Sequence, residues 1–164
     1  MKLTAKPVKE KDIFSKTNSM KTINIGKSAI QYDCLSELKF EFTEYGIKIG
    51  KNVVIGDNCH IGKDVVIGDN CDVGESSVLN HKTTLRKNVK IGISCDIGRA
   101  SVIGESTVIG DCFTSGTNVN VGSNCTIGDF CAMQSCSYLK NNNGVFNRHI
   151  VLNNSDTVIY SKKV

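Results

Sequence analysis

Residues 49–73 read IGKNVV IGDNCH IGKDVV IGDNCD V: an aliphatic residue every six positions, with glycine directly behind it. The aliphatic series runs Ile49, Ile55, Ile61, Ile67, Val73, Leu79, Leu85, Ile91, Ile97, Ile103 and Ile109. Past Ser115 it resumes with Val121, Ile127, Met133 and Leu139, so fifteen of sixteen places are apolar and the phase never slips. Glycine follows in twelve of the sixteen hexads. A turn former stands two residues further on (Asn52, Asn58, Asp64, Asn70), and a small or β-branched residue then precedes the next aliphatic by two (Val53, Cys59, Val65, Cys71).

A period of six with two inward places per repeat describes a short strand, a tight corner and another strand, because side chains along a strand alternate between its two faces. The glycine is expected to supply the positive φ of the corner, with Asn or Asp steadying the turn. On that reading Asn80 is a tolerable replacement for glycine, and Arg86 carries a modest steric cost. Three sides close a triangular coil of eighteen residues. Coils stack at roughly 4.8 Å, so residues 47–139 make about five coils, on the order of 25 Å tall. At Ser115 a polar residue takes the aliphatic slot while Phe113 takes the small one, an exchange that roughly conserves core volume.

Residues 1–46 and 140–164 flank the repeat as caps. Ile25-Gly26-Lys27-Ser28-Ala29 resembles one isolated hexad, and Cys34 to Tyr45 reads as a short helix or irregular cap. The lysine-rich first dozen residues are expected to be mobile. Asn141-Asn142-Asn143-Gly144 reads as a turn, followed by apolar runs around Phe146–Leu152 and Thr157–Tyr160 that are expected to cover the open end.

Composition narrows the function. A chain of 164 residues with 40% apolar and 22% charged residues suits one domain. Its net charge of +4 forms no basic stripe, which argues against nucleic acid as a partner. The amino terminus lacks a signal-like apolar stretch and no segment is suited to spanning a bilayer, so a cytoplasmic protein without a membrane partner is expected. Eight cysteines contain no Cys-x-x-Cys pair. Five of them, Cys59, Cys71, Cys95, Cys125 and Cys131, share the small-residue column and read as buried hydrophobes of a reducing compartment.

On these columns the segment resembles the hexapeptide-repeat family, and the resemblance implies a left-handed parallel β-helix, commonly assembled as a homotrimer. Glycine is lost in two successive hexads, Leu79-Asn80-His81-Lys82-Thr83-Thr84 and Leu85-Arg86-Lys87-Asn88-Val89-Lys90. Departures from a local rule gather at functional sites. Leu79-Asn80-His81 is similar to the aliphatic-x-His hexad of the sugar O-/N-acyltransferase branch, whose histidine is the general base on an acceptor amine or hydroxyl that attacks an acyl thioester. An imidazole suits proton transfer near neutral pH. The resemblance thus implies a transferase of small, sugar-like acceptors with acetyl-CoA as co-substrate, and neither a permanently bound cofactor nor a metal.

Eighteen-residue stacking places Lys63 and Arg99 beside His81 and Asp64 below Lys82, so Asp64 is a candidate to orient the imidazole. Gly98 and Gly116, in the coils above, are candidate amide donors to a tetrahedral oxyanion. Lys82 and Arg86, with Arg99, Lys63 and Lys87, are candidates to hold the phosphates of the co-substrate. Lys82 stands where many relatives have Asp, and only 46 residues precede the repeat. A non-catalytic trimer, either a scaffold or a binder of a nucleotide-like ligand, therefore stands as the second reading. His60, outward on a strand, and His149, in the carboxy-terminal cap, do not form the paired-histidine hexad of the γ-class carbonic anhydrases.

Overall fold

The computed structural model describes residues 20–151 and the backbone of 159–161. The fold is the expected left-handed β-helix, an all-β solenoid of about six coils. Parallel pairs such as Val66 with Thr84 and Ile67 with Leu85 fix the coil at eighteen residues. Face 1 carries Cys59–Ile61, Val78–Leu79, Asp96–Ile97, Thr114–Ser115, Ala132–Met133 and His149–Val151. Face 2 runs from Lys48–Ile49 to Tyr138–Leu139, and face 3 from Val54–Ile55 to Gly144–Val145.

The aliphatic column fills the interior: Ile55, Ile61, Ile67, Val73, Leu79 and Leu85 are at most 1% exposed. Each coil encloses three such side chains, each contributing roughly 1.5–3 kcal/mol relative to an exposed one. The exchange at Phe113 and Ser115 is present as expected, with both side chains buried. The small column is more than filler. Cys59, Ser77 and Cys95 donate to the carbonyls of Gly74, Gly92 and Gly110 at 3.1–3.2 Å, and Thr83, Ser101, Thr107, Cys125 and Cys131 repeat the bond at the other corners. These thiols and hydroxyls satisfy corner carbonyls inside the core, where an unmet acceptor is costly. Burial pushes the Cys95 thiol up to about 11 and raises Cys59, Cys71 and Cys131 in the same direction.

The corner differs from the expectation in one respect. Positive φ falls on the turn former, as in Asn58 (57°), Asp64 (58°) and Lys82 (62°), and not on the glycine behind the aliphatic. Glycine is required there for clearance: a Cβ on Gly56 would lie 2.5 Å from the Glu75 amide nitrogen, and one on Gly62 2.6 Å from that of His81. The positive φ expected at Arg86 therefore falls on Asn88 (59°), and that of the Asn80 hexad on Lys82 (62°), each two places after the missing glycine.

The solenoid also runs beyond residue 139, where the repeat was expected to end. Gly144–Val145 pairs with Thr126–Ile127, and His149–Val151 pairs with Ala132–Met133. The Asn141–Gly144 turn is simply another corner. At the other end, β1 (Lys21–Ile25) joins face 1 beside Cys59–Ile61. It then turns at Gly26, φ +63°, into antiparallel β2 (Ser28–Tyr32), so the isolated hexad is a hairpin and not a coil. A 3-10 turn (Leu35–Leu38) and α1 (Lys39–Glu44) follow, matching the expected short helix, and bury Leu38 and Phe42 against the core. Ile159–Ser161 closes the far end of face 1 antiparallel to His149–Val151. The first dozen residues lie outside the described residues.

Two measurements check this account. Gly56→Ala should cost roughly 1–3 kcal/mol, the range for forced overpacking, whereas Asn58→Gly should stay within about 0.5 kcal/mol in urea unfolding. In a thiol titration of the native protein Cys34 and Cys136, both exposed, should react at once, and the five buried column cysteines only on unfolding.

Candidate functional site

The corner joining faces 1 and 2 is a vertical column whose outward residues are Tyr45, Lys63, His81, Arg99, Thr117 and Ser135. Backbone bonds tie it together: the Asp64 amide donates to Tyr45, Lys82 to Lys63, Ala100 to His81 and Asn118 to Arg99, at 2.8–2.9 Å. Lys63 and Arg99 thus flank His81 as expected from stacking, and all three are exposed.

The imidazole is held by its neighbour below. The Lys63 amide donates to His81 Nδ1 at 2.8 Å. Other corners use the same device with oxygen acceptors: Lys51 donates to Asp69 Oδ1 (2.7 Å), Ile93 to Asp111 Oδ1 (2.9 Å) and Ser123 to Asn141 Oδ1 (2.8 Å). His81 is the imidazole version of a cap otherwise made by Asp, Asn or Ser. With Nδ1 accepting, the neutral ring carries its proton on Nε2, because each tautomer has one donor and one acceptor nitrogen.

The remaining candidates are only partly brought together. No hydrogen bond joins Asp64 to His81 among the described residues; the Asp64 carboxylate lies over Gly46, where an added Cβ would meet Oδ1. The Gly98 amide donates to Ser115 Oγ at 2.8 Å, and the Gly116 amide to the Met133 carbonyl at 2.8 Å, so neither is free for an oxyanion in this geometry. Ser115 therefore does more than vacate core volume: its hydroxyl takes the amide that a strand carbonyl would otherwise accept. Asn80 bonds Asp96 Oδ1 at 2.7 Å and the Ile97 carbonyl at 3.0 Å, which fastens the glycine-free hexad to the next coil.

The basic residues divide between two edges. Lys63, Lys82 and Arg99 line the His81 column, while Arg86 and Lys87 occupy the corner joining faces 2 and 3. Lys87 pairs with Glu105 at 3.6 Å, a solvent-exposed contact contributing at most about 1 kcal/mol. Arg86 has a more defined setting. It forms one wall of a groove of about 300 Å³ on face 2, with Val102, Gly104, Asn120, Gly122 and Tyr138. Residue spacing alone does not show this groove. Its trace in the sequence is the change of the outward face-2 residue from Val66, Thr84 and Val102 to Asn120 and Tyr138.

His60 is half-buried on face 1 between Asn24 and Val78. His149 opens the last face-1 strand, its Nδ1 2.8 Å from the Asn147 carbonyl and its ring beside Phe146. Among the described residues no three His, Cys, Asp or Glu side chains are grouped to hold a metal ion. No helix among them is long and apolar enough to cross a membrane.

Against known proteins, residues 46–81 match the family described as bacterial transferase hexapeptide (six repeats). No curated protein sequence matches the chain significantly. Among solved structures, a variant of perosamine N-acetyltransferase from Caulobacter crescentus, in complex with CoA and GDP-perosamine, superposes with a TM-score of 0.63. The two are 15% identical over 73% of this chain and 54% of that one, a likeness of fold. The acetyltransferase domain of PglB from Neisseria gonorrhoeae matches at TM-score 0.49, with 17% identity over 71% and 55% of the two chains. A hexapeptide transferase family protein from Anaplasma phagocytophilum matches at 0.45, with 15% identity over 88% and 84%. The chain spans about half the length of the first two.

The tautomer is directly measurable. Long-range 15N–1H correlation spectra of the histidine rings should show His81 protonated on Nε2 with Nδ1 unprotonated; the reverse assignment would contradict the Lys63 bond.

Proposed function

Starting from a chain of the hexapeptide-repeat family, we propose that it is an acyltransferase. It transfers an acetyl group from acetyl-CoA to an amine or hydroxyl of a small, sugar-like acceptor, and works as a homotrimer. The observation that carries this reading is the outward His81 on the glycine-free hexad, its Nδ1 bonded to the Lys63 amide and its Nε2 without a hydrogen-bond partner among the described residues, flanked by Lys63 and Arg99. Supporting it are the transferase family match and the CoA complex of a relative with this fold. Arg86 and its face-2 groove suit a phosphate-bearing ligand, since a guanidinium fork binds phosphate oxygens in pairs.

The chemistry carries a structural condition. For Nε2 to take the acceptor's proton, Nδ1 must hold the ring's own proton, and a protonated Nδ1 cannot accept from Lys63. Catalysis by His81 therefore releases that amide, which at this exposed corner passes to water. The acceptor's lone pair then forms a bond to the thioester carbonyl carbon, its proton moves to Nε2, and collapse of the tetrahedral adduct expels the CoA thiolate. The thiolate takes the proton back from the imidazolium. With the Gly98 and Gly116 amides engaged, the oxyanion donor comes from another group, and Lys82 and Arg99, the cationic neighbours of His81 in this column, are the candidates.

A second reading, a non-catalytic binder of a nucleotide-like ligand, is favoured by the equivalence of His81 to the Asp and Asn caps at other corners. His81→Asn separates the two, because it keeps an acceptor for the Lys63 amide and removes the base. On the enzyme reading, wild type consumes acetyl-CoA with a small amine or hydroxyl acceptor. His81→Asn should then lose at least about 100-fold in kcat, the lower range for general base catalysis, with unfolding unchanged. Absence of turnover in wild type, together with loss of nucleotide affinity in Arg86→Glu, would establish the binder instead.

A further inference from the structure

The solenoid core is left open where it begins. Ile49 and Val53 hold the two inward places of the first coil. Their counterparts one coil on, Ile67 and Cys71, are 1% exposed, yet Ile49 and Val53 remain partly exposed. Of the cap, Leu38 and Phe42 are buried against the core, and they leave Ile49 and Val53 partly exposed. A cavity of about 420 Å³ results, floored by Leu35, Phe42, Ile47, Ile49 and Val53. That volume lies within the roughly 300–1,000 Å³ of small-molecule sites, which are mostly apolar with a few placed polar groups.

The rim decides what such a molecule is. Thr43 Oγ1 donates to the Lys39 carbonyl (2.8 Å), Ser36 Oγ shares a hydrogen bond with Cys34 Sγ (3.1 Å), and Asn52 Nδ2 donates to Asn70 Oδ1 (3.1 Å). Each neutral polar side chain on the rim already has a partner. Lys39 is the charged group lining the cavity, and it makes no ion pair among the described residues. An apolar floor beneath a single unpaired ammonium is complementary to an apolar tail carrying one negative head.

We propose that this cavity binds an amphipathic anion, an alkyl chain lying on Ile49, Val53 and Phe42 with its carboxylate on Lys39 Nζ. The tail replaces water on the exposed end of the core, where removal of apolar area is favourable, and the carboxylate gives Lys39 a charge partner. The site is separate from the His81 column and stands whether or not the chain is a transferase.

Titration calorimetry on the full chain, with decanoate and decanol below their aggregation limits, tests it. Decanoate should bind one per chain, and more tightly than decanol. Lys39→Glu, at an exposed position, should weaken decanoate at least tenfold and leave decanol unchanged, while Val53→Phe should remove both by filling the cavity. Failure of decanoate to bind wild type overturns the proposal, as does equal binding of the two ligands. Two further results would assign the cavity to another occupant and overturn it equally. A tenfold gain in decanoate affinity in Phe14→Asp would mean that the chain's own amino-terminal segment fills it. A change in oligomeric mass in Val53→Phe would mean that a second copy does.

Discussion

Along the solenoid most strand and corner amides find their carbonyl one coil away, as Lys48 does at Val65 and Gly62 at Leu79. That bond locks the chain into an eighteen-residue repeat, and the other regularities follow from the lock. Inward places must be apolar because three faces converge on one interior. The residue behind most of the aliphatics is glycine because the next coil's corner backbone passes within 2.5–2.6 Å of where a Cβ would sit at Gly56 and Gly62. The small column is thiol, hydroxyl or β-branched because corner carbonyls need a buried donor or a tight apolar filler. The corner's outermost side chain is often a hydrogen-bond acceptor, because one amide per corner points outward along the axis.

The last constraint bears most on function. A side chain at the outermost corner place has a structural task before it has a chemical one. Asp69, Asp111 and Asn141 perform that task. His81 performs it too, with one nitrogen, and its other nitrogen has no hydrogen-bond partner among the described residues. The glycine-free hexad around it is held by Asn80, which takes the freed space to bond Asp96. The departure from the repeat is therefore a stable local rearrangement, and Lys82 carries its left-handed backbone without the side-chain acceptor that Asn or Asp brings at corners such as Asn58, Asp64 and Asn70.

Much of this was legible in the residues. The Ile49-to-Leu139 series gave coil length, faces and core, and stacking placed Lys63 and Arg99 beside His81. Glycine misled, since both a positive φ and steric crowding select it, and a sequence alone does not distinguish them. The repeat reads as ending at Leu139 because Lys140 and Phe146 replace glycine, while in the fold Val145 and Val151 keep the interior filled. The finer site depended on rotamers and bond directions: whether Asp64 turns to His81 or to Gly46, and whether the Gly98 amide is free or held by Ser115. Spacing fixes which residues are neighbours; it does not fix which atoms they exchange.

The hairpins at the two ends of face 1 have a further consequence. A stack of near-identical parallel coils is a template that another such stack could extend without limit. Here the outermost strands on that face, β2 at one end and Ile159–Ser161 at the other, run against the direction of the coils. A newcomer arriving in the parallel sense meets a strand of the wrong polarity. The solenoid thus carries its own brake on filament growth, written in chain direction instead of in charge.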